Sequence, residues 1–356
     1  MRFLGIYLMD RHNNFTIIHI LGAIFVVIGH QYVLMGESCP ALLGWAVHGI
    51  GVKMLFLVSG YLIAMSYRRK HSRVEFLIKR LSRLYPAYIF CLLVTVSVFY
   101  FLTSSPQTYW ISAKHYFWNN LTMRPVFGLE GVLADNIMPS VNGSLWSLPV
   151  ELFCYVAIMP ILDLYNLVEK KSKKAADCCF VLLVLSITAF VWHYETKMAG
   201  TMYVVWGTDI YSGIPLLHWF LIGSAFYLLD LKKYCNLQLA GVVLVFFTIF
   251  VGSYRNLFMP FVLGYLIMSF ALIEKPYFAT VIKHDVCYGI YLFSFPVQQV
   301  LIAFLQGKPG WTVNMHIILA VFITWVLAEI TYRFVEHPVA EGVNKLLMRY
   351  RKTSKV

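Results

Sequence analysis

An all-α, polytopic transmembrane bundle of about ten spans is the fold class the sequence predicts, and three observations predict it. Of the 356 residues, 60% are hydrophobic and only 13% charged, against about 25% charged in an ordinary soluble domain. The apolar residues gather into ten runs near the ~20 residues that cross a bilayer: 15–35, 45–66, 84–103, 145–166, 178–194, 213–229, 237–253, 256–273, 286–305 and 313–334. Charge placement is the third observation. Of the 29 Lys and Arg, 23 fall in segments on the side of the N-terminus, five fall opposite, and Lys53 lies within the second run. The bias alternates correctly across all ten runs, which places both termini in the cytoplasm.

The net charge of +12 does not indicate nucleic-acid binding, because the basic residues form short clusters between apolar runs and no basic-aromatic module stands out. The seven cysteines are scattered, mostly in apolar runs and without a CxxC pair. They read as small hydrophobes, not as a disulfide framework or a metal site. The first run is about 20 residues long and lacks a small-x-small cleavage site, so it is expected to remain as a span. Residues 1–356 are expected to form a single membrane domain with no fused soluble domain. The longest external segment, 104–144, carries Tyr109, Trp110, His115, Tyr116 and Trp118. These aromatics read as an interfacial belt first and as sugar-stacking platforms second. N-x-S/T triplets at Asn120 and Asn142 fall on the same predicted side.

Within the spans, the informative residues are the polar ones. A carboxylate in a membrane helix costs about 2.5–3.5 kcal/mol even on lenient insertion scales. In "NGSLWSLPVELFCYV", Glu151 lies six residues after the external start of span four, roughly 9 Å deep at 1.5 Å per residue. His30 lies five residues before the external end of span one, roughly 8 Å deep. The matched depths make Glu151 the expected partner of His30, and a carboxylate that orients an imidazole makes a general base. A purely structural bond locking two helices is the alternative. His19 and His30 are eleven residues apart, so they share one helix face about 16 Å apart. Such a polar line suits either a long substrate threading inward from the cytoplasm or a proton relay.

Other stretches carry weaker signals. "FLIKRLSRLYPAY" sets Arg80 and Arg83 one turn apart at the cytoplasmic start of span three. Two such guanidiniums form a phosphate clamp, or serve only as topology signals. "LFLVSGYLI" with Ser59 and Gly60 predicts a close helix contact. Tyr288 and Tyr291, one turn apart in "CYGIYLFSFPV", form an interfacial belt or a pocket wall. Glu329, Arg333 and Glu336 are spaced as an internal ion-pair ladder.

Six of these stretches, in order, resemble the acyltransferase-3 family of polytopic membrane acyltransferases. They are "FTIIHILGAIFVVIGH", "LFLVSGYLI", "KRLSRLYPAY", "SLWSLPVELFCY", "YGIYLFSFPV" and "YRFVEHP". The resemblance implies an enzyme that moves an acyl group, commonly acetyl, from cytoplasmic acyl-CoA to a hydroxyl of a cell-envelope sugar, without a metal. It implies a bacterial inner membrane, with acyl-CoA, membrane lipids and an envelope or lipid-linked glycan as partners. By the same resemblance His30 is the essential histidine, Arg80 and Arg83 match an Arg-x-x-Arg pair, and Glu151 matches the acidic position of the span-four motif. His30 and Glu151 are therefore expected to be catalytic, and His19, Arg80, Arg83, Tyr288 and Tyr291 are expected to bind the donor. Two positions depart from the family pattern. His19 stands where an Arg or Lys is usual, and Ser294 stands where a histidine is frequent. A carrier or flippase for an anionic or sugar-lipid solute is the competing reading, but inverted repeats and helices broken near the midplane are not evident.

Overall fold

The computed structural model describes residues 13–69, 72–198, 200–250, 252–274, 282 and 284–353. Parts of the basic segments used for orientation, within 1–12 and 275–281, lie outside the described residues.

The ten expected spans all appear as helices. They are α1 (Phe15–Leu34), α2 (Val47–Arg68), α3 (Arg73–Tyr100), α5 (Ser147–Glu169), α6 (Lys173–Lys197), α7 (Ile210–Leu228), α8 (Leu237–Phe250), α9 (Arg255–Ala271), α10 (Cys287–Leu305) and α11 (Val313–Thr331). Among the described residues, eight helical stretches are long and apolar enough to cross a membrane, while Leu237–Phe250 and Asn256–Ala271 are shorter. Two further α-helices lie among the described residues: α4 (Pro106–Leu121), and α12 (His337–Thr353), which follows α11 through a π-helical turn at Tyr332–Glu336. The protein is therefore an all-α, multi-pass membrane bundle.

Local sequence accounts for the element boundaries. Ser72 caps α3 by accepting from the Glu75 amide, with Glu75 three residues on as in a capping box. Asp209 caps α7, accepting from the amides of Tyr211 and Ser212. Two short hairpins lead into α2 and α7, pairing Ala41–Leu42 with Trp45–Ala46 and Val204–Val205 with Thr208–Asp209. Each turns on a residue-glycine pair with positive φ at both positions, Leu43-Gly44 and Trp206-Gly207, the backbone of a type I′ turn.

Helix α2 packs against both α1 and α7. At the α2–α7 crossing the backbones touch. A Cβ on Gly60 would lie 1.8 Å from the Phe220 carbonyl oxygen, and one on Gly223 the same distance from that of Leu57. Ser224 Oγ donates to the Gly60 carbonyl at 3.0 Å. The close contact expected from Ser59-Gly60 is thus real and glycine-dependent. Gly60→Ala is expected to lower stability by about 1–3 kcal/mol through overpacking; an unchanged melting temperature in detergent would contradict this packing.

Helix α4 divides the aromatics of the 104–144 segment. Tyr109 and Tyr116 are fully buried, whereas Trp110 and Trp118 are exposed. Of the five, the two tryptophans and the exposed His115 are therefore the ones that can act as a belt or platform. Asn120 and Asn142 are fully buried, each with its amide donating to backbone carbonyls, so neither triplet is presented for modification. Cys178 and Cys179 are exposed, contrary to the reading of the cysteines as buried hydrophobes, while Cys91, Cys154 and Cys287 conform to it.

Candidate active site

The inner polar cluster forms where α1, α3, α5 and α10 converge. His19 Nδ1 lies 2.7 Å from Asp285 Oδ2, and Arg83 Nη2 lies 3.3 Å from the same oxygen. Asp285 also accepts from the Cys287 amide at 3.2 Å, closing the first turn of α10. Burial alone raises the Asp285 pKa, but His19 and Arg83 outweigh it and hold the carboxyl below the usual carboxylate range. An ion pair of this sign strengthens the fold above the carboxylate's unfolded value and is lost only as pH falls through the lower folded one. Across the physiological range Asp285 is a fixed anion. The ligand atoms of His19, Asp285 and Cys287 lie within 4.8 Å of one another. Two N–H donors already share the Asp285 oxygen, so we treat the trio as ion pairing and assign it no metal.

Arg80 is buried at 8% exposure, over the Phe76 ring, and its Nε has no hydrogen-bond partner. Tyr155, Arg83 and Glu151 surround it electrostatically. Tyr288 closes one wall of this cluster, its hydroxyl donating to the Leu84 carbonyl at 2.9 Å. Tyr291 sits one turn outward, where its hydroxyl donates to the Ser144 carbonyl at 2.9 Å and meets Ser147 Oγ at 2.6 Å. Tyr291 is thus bound to the turn that opens α5.

Glu151 belongs to this inner cluster, and the expected His30–Glu151 pair does not form. Glu151 accepts from the Tyr155 hydroxyl, and the basic groups facing it are Arg83, His19 and Arg80. The depth match assumed that residue 145 marks the outer surface. In fact the chain is already inside the bundle at Asn142 and Ser144, both fully buried, with Asn142 Nδ2 donating to the Leu292 carbonyl at 3.0 Å. Gly143 abuts the Phe295 ring, and Phe295 in turn packs edge-on against His30. Glu151 lies eight residues beyond Gly143, about 12 Å further along the chain's helical path.

His30 therefore stands apart, in an outer pocket. Its ring lies 5.3 Å from Phe295 and 5.5 Å from His48, and its Nδ1 is buried without a hydrogen-bond partner. The line along α1 survives as two stations: His19 is anchored in the inner cluster and His30 is unanchored in the outer one. Beside the outer pocket, Gln298 Nε2 donates to the Val27 carbonyl at 2.7 Å and to Gln31 Oε1 at 3.0 Å. Gln299 Nε2 holds the segment between α4 and α5 through the carbonyls of Met138 and Ser140. Ser294 Oγ only returns to the Tyr291 carbonyl at 3.2 Å.

Four residues of these two sites escaped the sequence reading. Asp285 sits just before an apolar run, at the level of His19, and a buried imidazole at an inner helix end is itself a signal to look for such an anion. His48 and Tyr155 lie inside apolar runs with no local mark. Glu336 was read as the end of an ion-pair ladder. Arg333 does pair with Glu329, at 2.6 Å, but the π-helical turn rotates Glu336 inward, where it is buried and faces Arg83 and Asp285.

Known proteins place this geometry in context. The chain is 28% identical to an O-acetyl transferase of Shigella phage Sf6, over 83% of this chain and 87% of that protein. It is 24% identical to nodulation protein 10 of Rhizobium leguminosarum bv. viciae, over 95% of both. It is 26% identical to the peptidoglycan O-acetyltransferase OatA of Listeria monocytogenes, over 84% of this chain and 52% of that protein. No solved structure matches. The acyltransferase-3 family, described as an acyltransferase domain, matches residues 13–333, so the chain belongs to that family and is an acyltransferase.

Proposed function

We propose that the protein is a membrane O-acyltransferase that takes an acyl group, acetyl in the simplest case, from acyl-CoA at the cytoplasmic face. The acceptor is a hydroxyl of a cell-envelope sugar or polysaccharide repeat, and the membrane is a bacterial inner membrane. The observation that carries this reading is the arrangement of two histidines on one face of α1. His19 is fixed by Asp285 at 2.7 Å, while His30 leaves Nδ1 unpartnered in the outer pocket.

The inner cluster is the donor station. Arg80 and Arg83 offer their guanidinium forks to the donor's phosphates, with Glu151, Asp285 and Glu336 balancing the charge when no anion is bound. Tyr288 lines the start of the channel for the acyl-pantetheine arm, which runs outward past His19. Tyr291 contributes its ring to that channel, because its hydroxyl is engaged. At the outer station His30 removes the proton of the attacking sugar hydroxyl. The sugar named for the Listeria relative, peptidoglycan, supports an envelope glycan as acceptor class.

The revised position of Glu151 separates two roles. If it serves the donor station as the resting counter-charge of the two arginines, Glu151→Gln lowers the donor KM by up to about tenfold, the scale of one charge-assisted contact no longer competed for, and leaves kcat within a factor of two or three. A fall in kcat at constant KM would return Glu151 to the service of His30. To test the reading as a whole, the gene is deleted in its host and the surface glycan weighed. Loss of one acetyl mass increment per repeat is expected; loss of the polymer itself from the surface would refute acyl transfer as its task.

A further inference from the structure

Cys39 and His48 form a pair beside His30 that the steps above do not use. Cys39 lies in the segment between α1 and α2, and His48 is the second residue of α2. Cys39 Sγ is 3.4 Å from His48 Nδ1, within hydrogen-bonding range for sulfur; its other polar contact is the Pro40 carbonyl at 3.5 Å. The placement of His48 is built into the backbone of α1. A Cβ on Gly29 would come within 2.7 Å of the His48 backbone N, Cβ and Nδ1, so the bare glycine leaves the notch that His48 occupies. That notch brings the imidazoles of His30 and His48 to 5.5 Å between ring centres. One pocket thus holds a thiol bonded to an imidazole and a second imidazole whose buried Nδ1 has no partner.

The other cysteines lack this chemistry. Cys91 and Cys154 are buried and Cys178 and Cys179 are exposed, Cys235 donates to the Leu231 carbonyl, and Cys287, although its sulfur lies within 4.8 Å of the His19 imidazole nitrogen, sits beside a ring already engaged by Asp285. Among the described residues, Cys39 is the cysteine whose sulfur hydrogen-bonds an imidazole. A nucleophile with a base in contact and a second base nearby is the constellation of covalent acyl transfer. It divides the reaction into two displacements, each with its own imidazole.

We propose that Cys39 is a covalent acyl relay between donor and sugar, with His48 as its base; this rests on the reading that the donor is an acyl thioester. In the first displacement His48 Nδ1 takes the Cys39 proton, and the sulfur attacks the donor's carbonyl carbon. The donor's carbon–sulfur bond breaks, and the departing thiolate takes a proton from His48 Nε2, which leaves His48 with its proton on Nδ1. One thioester has replaced another, so no further energy source is needed. In the second displacement His30 takes the proton of the sugar hydroxyl, whose oxygen attacks the Cys39 thioester. The carbon–sulfur bond breaks, and His48 gives its Nδ1 proton to the leaving Cys39 sulfur while its Nε2 takes the proton from His30, which restores the starting state. The sum is acyl thioester plus hydroxyl giving ester plus thiol.

The test uses the full-length protein in detergent with radiolabelled acetyl-CoA and no acceptor, quenched in acid. An acetyl group bound to the Cys39 peptide, released by neutral hydroxylamine and chased onto added glycan, is the expected result. Cys39→Ala loses that label and at least about a hundredfold of transfer, and His48→Gln slows labelling while Cys39 remains. Because a variant can fail to fold, the wild-type protein is also blocked with methyl methanethiosulfonate and restored with dithiothreitol. Transfer should stop and return. Transfer at the wild-type rate by Cys39→Ala, or by wild type with Cys39 blocked, overturns the relay and leaves the donor reading intact. Wild type that neither labels nor transfers from acetyl-CoA overturns the donor reading, and the relay with it.

Discussion

His30→Ala is expected to lower acyl transfer by about 10²–10⁴-fold, the range for loss of a positioned general base, while the protein still inserts. The physical reason lies in the outer pocket. His30 packs against Phe295 and His48, so its ring is held in place by aromatic contacts and its nitrogens remain for chemistry. The inner cluster shares no hydrogen bond with it, so truncation leaves the His19–Asp285–Arg83 group in place. His30→Gln, which fills more of the pocket but takes up no proton, is expected to be as inactive as His30→Ala. Transfer assays on purified protein of normal melting temperature check both, and an active His30→Gln would remove the base from the account.

Replacing Arg80 and Arg83 together with Ala weakens the donor by about 10²–10⁴-fold in KM. Each guanidinium contributes about 1.5–3 kcal/mol as a charge-assisted donor to phosphate, and two such terms give this range. The arginines differ in kind. Arg83 is half-exposed and tied to Asp285, so it can turn to an incoming anion at small cost. Arg80 is buried with an unpartnered Nε, so its desolvation is already complete before the donor arrives. Arg80→Lys, which keeps a charge but loses the planar fork, should recover only part of the affinity. Kinetics over a donor concentration series check this: a fall in kcat at unchanged KM would count against the clamp.

Much of the architecture was legible because membranes impose simple rules. Span length and the alternation of Lys and Arg are one-dimensional signals, and all ten expected runs became helices. Gly60 was legible because a small residue in an apolar helix has few other uses. The pairing of Glu151 was not legible. Depth by residue counting requires knowing where the chain leaves water, and the "VNGS" stretch at 141–144 is polar by composition yet buried against α10 by Asn142. Arithmetic from residue 145 therefore put Glu151 with the wrong histidine. Asp285 and His48 lay hidden for a different reason. Neither shares a helix with its partner: Asp285 pairs with His19 from 266 positions away and His48 with Cys39 in the loop before α2, and periodicity within one helix carries no information about such partners. The π-helical turn at Tyr332–Glu336 likewise breaks the i, i+4, i+7 spacing on which the ladder reading of Glu336 relied.

The proposal that one site binds the donor and the other performs transfer is tested by a single experiment. Equilibrium binding of radiolabelled acetyl-CoA is compared with transfer for wild type, His30→Ala and the Arg80→Ala, Arg83→Ala double variant. The account predicts that His30→Ala binds the donor as wild type does and transfers nothing, while the double variant loses binding. Loss of donor binding in His30→Ala, or transfer at the wild-type rate without that imidazole, would contradict it.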